Sequence, residues 1–158
     1  LCLFGYSQTS TMIEKDIHQV LDQWHQAAAK ADFETYFGLM STTSVFIGTD
    51  ASEHWDYEAF RAFAKPYFDK GKAWSFTSVE RHIYVSTDKK LAWFDELLST
   101  QMKICRGSGV MKKIGNEWKI EHYVLSMTIP NSLSKEVTQL KSNEEDSLLK
   151  QLSAKQNK

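Results

Sequence analysis

The sequence has few cysteines, no surplus of positive charge and no long apolar run, and each absence excludes a class of protein. Its 158 residues contain only Cys2 and Cys105, which excludes a disulfide framework and a Cys-x-x-Cys metal or redox site. The formal net charge of −1 argues against a nucleic-acid partner, because phosphate binding requires a basic surface. No apolar run reaches the roughly 20 residues that a membrane-spanning helix needs, so we expect no membrane span.

The motifs of metal, cofactor and nucleophile sites are missing as well. None of the five histidines forms a His-x-His or His-Glu-x-x-His pattern, so we expect no metal site. Gly107-Ser108-Gly109 lacks the Gly-x-Ser-x-Gly form of a nucleophile elbow. Because there is no phosphate-binding loop and no dinucleotide fingerprint, we expect no cofactor. His18 and His25 lie on the first predicted helix, where both are expected to be exposed.

Aromatic residues, by contrast, are abundant: the chain has five Trp, six Tyr and nine Phe. Their large contact area and low rotamer entropy suit the wall of a cavity or an interface. An aromatic core is the other interpretation, because aromatic side chains are often buried.

Composition divides the chain into residues 1–10, 11–130 and 131–158. The first segment begins with an apolar run and continues with small and polar residues, as the end of a signal peptide does. We therefore expect residues 1–10 to be the remnant of a leader, and the protein to be periplasmic or secreted. A cytoplasmic protein with an apolar N terminus is the alternative.

The last segment, residues 131–158, differs from the rest because it has no aromatic residue and is rich in Lys, Glu, Asn, Gln and Ser. Such a composition predicts a polar tail that is partly helical or disordered. The alternative is a helix that docks on a partner subunit, since a few apolar residues recur along it.

Three helices are predicted in the first half of the domain. Thr11-Met12-Ile13-Glu14 has the form of a capping box, and the apolar residues behind it recur at helical spacing to near Ala31. Asp32 and Asp56 are the predicted N-caps of the second and third helices. A strand is predicted between them at 44–48, followed by a loop at 49–55.

From Trp74 onward the alternation of apolar and polar residues predicts strands. They are expected at 74–86, 91–104, 109–114 and 118–129. Gly115-Asn116 predicts the turn of the last hairpin, because both residue types tolerate positive φ. Three helices followed by an antiparallel meander indicate an α+β domain with the helices on one face of the sheet.

The last predicted strand is apolar on both faces in its second half. Val124 lies on one face, and Tyr123 and Leu125 on the other. One face covers the helices, and exposed apolar area on the second face marks an interface. We therefore expect a homodimer that forms through the sheet face.

The closing hairpin also carries a family resemblance. Residues 106–126, with the pattern Trp118-x-Ile-x-His122-x-x-x-Ser126, resemble the last strands of SnoaL-like proteins, a branch of the NTF2-like superfamily. The order and spacing of Asp32-Phe33, Phe46–Asp50 and Leu91–Phe94 extend the resemblance over about Ile13 to Pro130. It implies a cone in which three N-terminal helices pack on a strongly curved antiparallel sheet, with an apolar pocket at the open end.

The catalytic positions of such relatives are not matched here. Trp24 stands where ketosteroid-isomerase-like relatives have a Tyr, Ile47-Gly48 falls where their base lies, and Gly109 where their acid lies. Scytalone-dehydratase-like relatives use paired His residues, and only His122 matches such a position. The resemblance therefore identifies no catalytic residue.

What the resemblance implies is a protein that binds a small, partly apolar molecule in the cone pocket. The expected pocket residues, with Arg106 as an anion contact, are Trp24, Tyr36, Trp55, Trp93, Arg106 and His122. One alternative is an isomerase, dehydratase or cyclase that uses Asp50, His54 or His122 as acid or base. The other is a non-catalytic dimeric interaction domain. A buried Glu96–Arg106 pair is also expected, because both residues share strand parity with apolar neighbours.

Overall fold

The computed structural model describes residues 4–156, and the side chains of residues 11–155. Its elements, in chain order, are α1 Phe4–Ala29, α2 Phe33–Gly38, β1 Met40–Ile47, β2 His54–Asp56, α3 Tyr57–Asp69, β3 Thr77–Val85, β4 Leu91–Thr100, β5 Lys103–Ile114, β6 Glu117–Met127, a 3-10 turn Asn131–Leu133 and α4 Ser134–Gln156. The chain divides into two compact units, residues 1–127 and 128–158. The second unit holds the 3-10 turn and α4, whose described side chains are mostly exposed.

The first unit is an α+β fold with a curved, unclosed six-stranded sheet in the order β2-β1-β6-β5-β4-β3. Strands β3 to β6 form the predicted antiparallel meander. Strand β1, however, pairs with β6 in parallel, so the sheet is mixed rather than wholly antiparallel. The two strands are far apart in the chain, and no hairpin turn forces them into opposite directions.

Helix α1 packs its apolar stripe on one face of the sheet, which we call the inner face. The stripe recurs every three or four residues, as the sequence predicts, and its buried members are Ile13, Ile17, Leu21, Trp24 and Ala28. Alternate residues of β4 supply the inner face, namely Ala92, Phe94, Glu96 and Leu98. Their neighbours point to the opposite side, the outer face.

The start of α1 differs from the prediction. The helix begins at Phe4, so Thr11 lies inside it and the predicted capping box does not mark its start. Extending a formed helix costs little compared with nucleating one, which allows residues 4–10 to continue it. Of the expected leader, residues 1–3 lie outside the described residues.

The two predicted N-caps of the shorter helices are confirmed. Oδ1 of Asp32 accepts the Thr35 amide at 3.1 Å, and Oδ1 of Asp56 accepts the Ala59 amide at 2.8 Å. Between these helices β1 begins at Met40, four residues earlier than predicted. The predicted loop before Asp56 contains the short strand β2.

The predicted strand 91–104 is wrong, because it is two strands joined by a turn at Gln101 and Met102. No glycine, proline or asparagine marks this turn in the sequence. The Thr100 hydroxyl holds it instead: it donates to the Lys103 carbonyl at 2.9 Å and accepts the Met102 amide at 2.9 Å. Hydrogen bonds from a side chain thus stabilise this turn in the absence of a residue type that favours turns.

Strand β6 changes the parity of its inner face midway. Trp118 and Ile120 are buried in its first half, and Tyr123 and Leu125 in its second. The β5 register steps from Met111 opposite Ile120 to Val110 opposite His122, so Glu121 is an extra residue. This bulge turns Tyr123 toward the interior.

Candidate functional site

A cavity of about 280 Å³ opens at one end of the first unit, and we call it the mouth cavity. The loop after β1, strand β2, helix α3, the segment before β3 and the β4–β5 turn all contribute to its wall. The lining residues are Phe46, Gly48, Thr49, Glu53, Trp55, Phe60, Phe63, Tyr67, Trp74, Phe76, Gln101, Met102 and Leu125. Most of this wall is aromatic or aliphatic, and besides the Tyr67 hydroxyl and the indole N–H groups its polar side chains are Thr49, Glu53 and Gln101.

The aromatic part of the wall is a stack of rings. Trp55 stacks on Phe63 with ring centroids 4.4 Å apart, and Phe60 stacks on Phe46 at 4.0 Å. Stacked rings have few rotamers to lose when a ligand binds, so the wall is preformed.

Beneath the mouth cavity the interior is filled by further rings. Trp24 stacks on Tyr36 at 4.8 Å and meets the edge of Tyr123 at 4.7 Å. Burial raises the pKa of Tyr36 well above 10, so its hydroxyl stays protonated. Aromatic side chains therefore make up much of the core, as one of the two interpretations of the composition expects.

One carboxylate, that of Glu96, lies inside this interior. Its Oε1 accepts from the Tyr123 hydroxyl at 2.9 Å and lies 2.8 Å from Nε2 of His25. Its Oε2 accepts from Nε of Arg81 at 2.8 Å. Both oxygens are thus hydrogen-bonded, as a buried charge requires.

Arg81 connects this carboxylate to helix α1. Its Nη1 donates to Oδ1 of Asp22 at 2.8 Å and lies 3.3 Å from Nδ1 of His18. The guanidinium therefore joins α1, β3 and β4 in one charged network.

The protonation states in the network follow from its contacts. Burial by itself raises the pKa of Glu96, but the hydrogen bond and charge of His25 and the charge of Arg81 more than offset this and hold the pKa below its usual value. Burial, together with the Glu96 charge, raises the pKa of Tyr123 well above 10. Glu96 is thus an ionised acceptor and Tyr123 a neutral donor.

Gly107 makes room for this network. It lies opposite Glu96 in the β4–β5 pairing, and a Cβ there would stand 2.1 Å from the Tyr123 hydroxyl. A glycine is needed at this position because the buried tyrosine hydroxyl occupies the space that a Cβ would fill.

Three of the six expected pocket residues lie on the inner side of the sheet, and three lie on its outer face. Trp24 and Tyr36 are buried in the interior, and Trp55 lines the mouth cavity. The other three, Trp93, Arg106 and His122, lie on the outer face of the sheet and away from that cavity. Trp93 is half exposed there and stacks on Tyr84.

Two expectations about charged residues are wrong. Glu96 does not pair with Arg106, because Gly107 lies opposite Glu96 and strand alternation places Arg106 on the outer face. His25 is buried rather than exposed, with 4% of its surface accessible. Its position four residues after Leu21 already placed it beside the apolar stripe of α1, and this signal was available in the sequence.

The residues of the enzymatic alternative do not line the mouth cavity. Asp50 and His54 are exposed in the segment after β1, and His122 lies on the outer face. Hydrogen bonds from Ser52 lower the pKa of Asp50, which makes it a weaker base.

Two further findings concern the described residues. Between residues 4 and 156, no helix combines the length and apolar character needed to cross a bilayer. Within the same range no three or more His, Cys, Asp or Glu side chains converge on a point where they could hold a metal ion.

Sequence comparison identifies the family. The chain matches the model of the SnoaL-like domain over residues 17–130, and it belongs to that family. Comparison with curated proteins gives no match.

Solved structures show the same NTF2-like fold. An NTF2-like protein of unknown function from Pseudomonas putida is 15% identical, with a TM-score of 0.64 over 77% of this chain and 90% of that one. A proposed dehydratase of the NTF2-like family from Streptomyces avermitilis is 14% identical, with a TM-score of 0.64 over 77% and 99%. The association domain of CaMKII from C. elegans is 20% identical, with a TM-score of 0.63 over 75% and 98%. At these identities the likeness concerns the fold.

Proposed function

We propose that this SnoaL-like domain binds a small, largely apolar molecule in the mouth cavity. The observation that carries the proposal is the cavity itself, an opening of about 280 Å³ whose wall is mainly stacked aromatic rings. This is near the lower end of the range of roughly 300–1,000 Å³ found for ligand sites. A preformed apolar wall with a few polar groups at its rim is the usual form of such a site.

The polar residues of the wall restrict the ligand further. Glu53 accepts the Asp50 amide through Oε2 at 3.1 Å, and its negative charge disfavours an anionic ligand. Thr49 and Gln101 can each donate or accept a hydrogen bond. The ligand we infer is uncharged, with an aromatic or alicyclic body and one hydroxyl, carbonyl or amine group.

The test is a titration with N-phenylnaphthylamine, an uncharged aromatic probe whose fluorescence rises in apolar surroundings. The protein should enhance its fluorescence in a saturable way. Trp55→Ala removes one stacked wall and should raise the Kd at least about tenfold, since a buried aromatic anchor contributes 1.4 kcal/mol or more.

Trp93→Ala is the matched control, because Trp93 is also a half-exposed, stacked tryptophan but lies on the outer face. It should leave the Kd unchanged. An equal loss of affinity in both variants, or no saturable binding by the wild type, would contradict the proposal.

We also propose that the chain forms a homodimer through the outer face of the sheet. This face carries a group of exposed or half-buried apolar side chains that we call the outer patch: Ile47, Tyr84, Trp93, Leu97, Val110 and Val124. The same face also carries Asp95, Arg106, Ser108 and His122, and exposed apolar area on a sheet face usually marks an interface. The C. elegans structural neighbour is, by its name, an association domain.

Catalysis in the mouth cavity is not part of the proposal. None of Asp50, His54 and His122 lines it, and the only carboxylate in its wall is Glu53 within the part of the chain that the structure describes.

A further inference from the structure

A second cavity, of about 430 Å³, lies between α1 and β3, and we call it the side cleft. Its lining residues are Asp22, His25, Gln26, Ala29, Ser75, Phe76, Thr77 and Ser78. Unlike the mouth cavity, it has hydroxyl, amide, carboxylate and imidazole groups in its wall.

His25 is the buried titratable group of this wall. Its Nε2 lies 2.8 Å from Oε1 of Glu96, and the side chains are 5% and 0% exposed. In its neutral form His25 donates from Nε2–H to the ionised Glu96 carboxylate, and the lone pair of the ring then lies on Nδ1. Among the residues that the structure describes, Nδ1 of His25 has no hydrogen-bond partner.

We propose that the side cleft is a proton-transfer site, in which His25 removes a proton from a small uncharged polar molecule and Glu96 positions the imidazole. The proton would move from the substrate to Nδ1, and the resulting imidazolium would be stabilised by the Glu96 carboxylate. Return of this proton to the product or to water restores the neutral ring. His25 is the catalytic residue, and Glu96 acts through it.

The rest of the network holds the Glu96 carboxylate in place and keeps it ionised. Arg81 and the Tyr123 hydroxyl both donate to its carboxylate, so it remains an acceptor when His25 gains and loses its proton. A carboxylate fixed in this way sets the tautomer and orientation of the histidine it contacts.

The charge balance indicates the class of substrate. Glu96 on β4 and Tyr123 on β6 contact His25, and the network extends from Glu96 through Arg81 on β3 to Asp22 and His18 on α1. The carboxylates of Asp22 and Glu96 outnumber the single guanidinium of Arg81, which disfavours an anion. Gln26, Ser75 and Thr77 can bind a carbonyl or hydroxyl group. The substrate class is therefore an uncharged carbonyl or hydroxyl compound with a weakly acidic proton.

The side cleft is separate from the mouth cavity. The Phe76 ring belongs to both walls and meets the His25 ring with centroids 6.2 Å apart. Of the residues that the structure describes, Phe76 is the one lining residue that the two cavities share.

The test uses nitrobenzisoxazole, an uncharged probe whose ring opens when a base removes its one acidic C–H proton. The C–H electrons form the nitrile as the N–O bond breaks, and the product is a coloured phenolate. The wild type should accelerate the reaction about a hundredfold over buffer, as a positioned base does.

Three variants decide between a catalytic and a merely structural role. His25→Gln should reduce the rate to that of buffer, and Thr77→Trp, which fills the cleft from an exposed position, should reduce it at least about tenfold with unchanged melting temperature. His122→Gln, on the outer face, should leave the rate unchanged. If His25→Gln fails to fold, the Thr77→Trp result decides. A wild-type rate equal to that of buffer, or full activity of Thr77→Trp, would overturn the proposal.

Discussion

Glu96 is the single residue whose surroundings most constrain the interior. Its charge is buried and balanced by groups from α1, β3 and β6. A buried ion pair adds little compared with an apolar pair, but removing one partner leaves an uncompensated charge. Its contribution is therefore best measured by changing one partner and varying the pH.

Glu96→Gln should lower the free energy of unfolding by roughly 3 kcal/mol at pH 7, because Arg81 loses its buried partner. The pKa of Glu96 in the folded protein lies below its ordinary value of 4.5. Its stabilisation is thus complete above pH 4.5 and is lost as pH falls through the lower, folded-state pKa. Urea unfolding should show the two proteins converging in stability at acidic pH.

Asp22→Asn is the matched control, since it removes an exposed partner of the same guanidinium. It should cost less than about 1 kcal/mol. If the difference in free energy of unfolding between the wild type and Glu96→Gln stays constant from neutral to acidic pH, the stability does not depend on ionisation of Glu96 as predicted.

At the scale of helices and strands, the features that the sequence predicts correctly are those determined by neighbouring residues, such as helix caps and tight turns. Asp32 and Asp56 are N-caps because a carboxylate accepts the free amides of the first turn, and this signal lies within four residues. The Gly115-Asn116 turn is equally local, with Gly115 at φ +60°. The turn after Thr100 is not predicted, because threonine is as common within strands as in turns and does not by itself indicate a turn.

The side-chain network could not be predicted in the same way. Glu96 and His25 are 71 positions apart, and their meeting depends on how α1 lies across the sheet. The strand alternation correctly predicts a buried charge at Glu96, but the predicted partner, Arg106, is wrong. The observed partner is Arg81, on the neighbouring strand β3. Only strand pairing, which places Gly107 opposite Glu96, distinguishes the two.

Gly107 tests how closely the strands must approach around this network. Gly107→Ala puts a Cβ 2.1 Å from the Tyr123 hydroxyl and 3.1 Å from Cγ of Glu96, so both must move. We expect a loss of about 2 kcal/mol or more in the free energy of unfolding, as overpacked cores show.

Gly38→Ala provides the comparison, because a Cβ at Gly38, the last residue of α2, would have nothing within 4 Å. It should be neutral or slightly stabilising. Thermal unfolding of both variants measures the difference, and equal melting temperatures would mean that Gly107 does not approach Tyr123 as described.

For the molecule as a whole, the proposed dimer depends on the outer patch. Trp93→Lys places a charge at a half-exposed position within it and should convert a dimer into a monomer, because an unpaired charge in an apolar interface is costly. Analytical ultracentrifugation measures the mass directly.

Met12→Lys changes an exposed apolar residue of α1 and should leave the dimer intact. A wild type that sediments as a monomer at all concentrations, or two variants that behave alike, would argue against the outer patch as the interface.

The place where an apolar molecule binds is the central claim, and the tryptophan indole N–H signals in a nitrogen–proton NMR spectrum report it directly. The five tryptophans mark different regions: Trp55 and Trp74 the mouth cavity, Trp24 the interior, Trp93 the outer face and Trp118 the start of β6. On addition of N-phenylnaphthylamine, the signals of Trp55 and Trp74 should shift most, and those of Trp93 and Trp118 should stay in place. A largest shift at Trp93, or no shift at any of the five during saturable binding, would contradict the account.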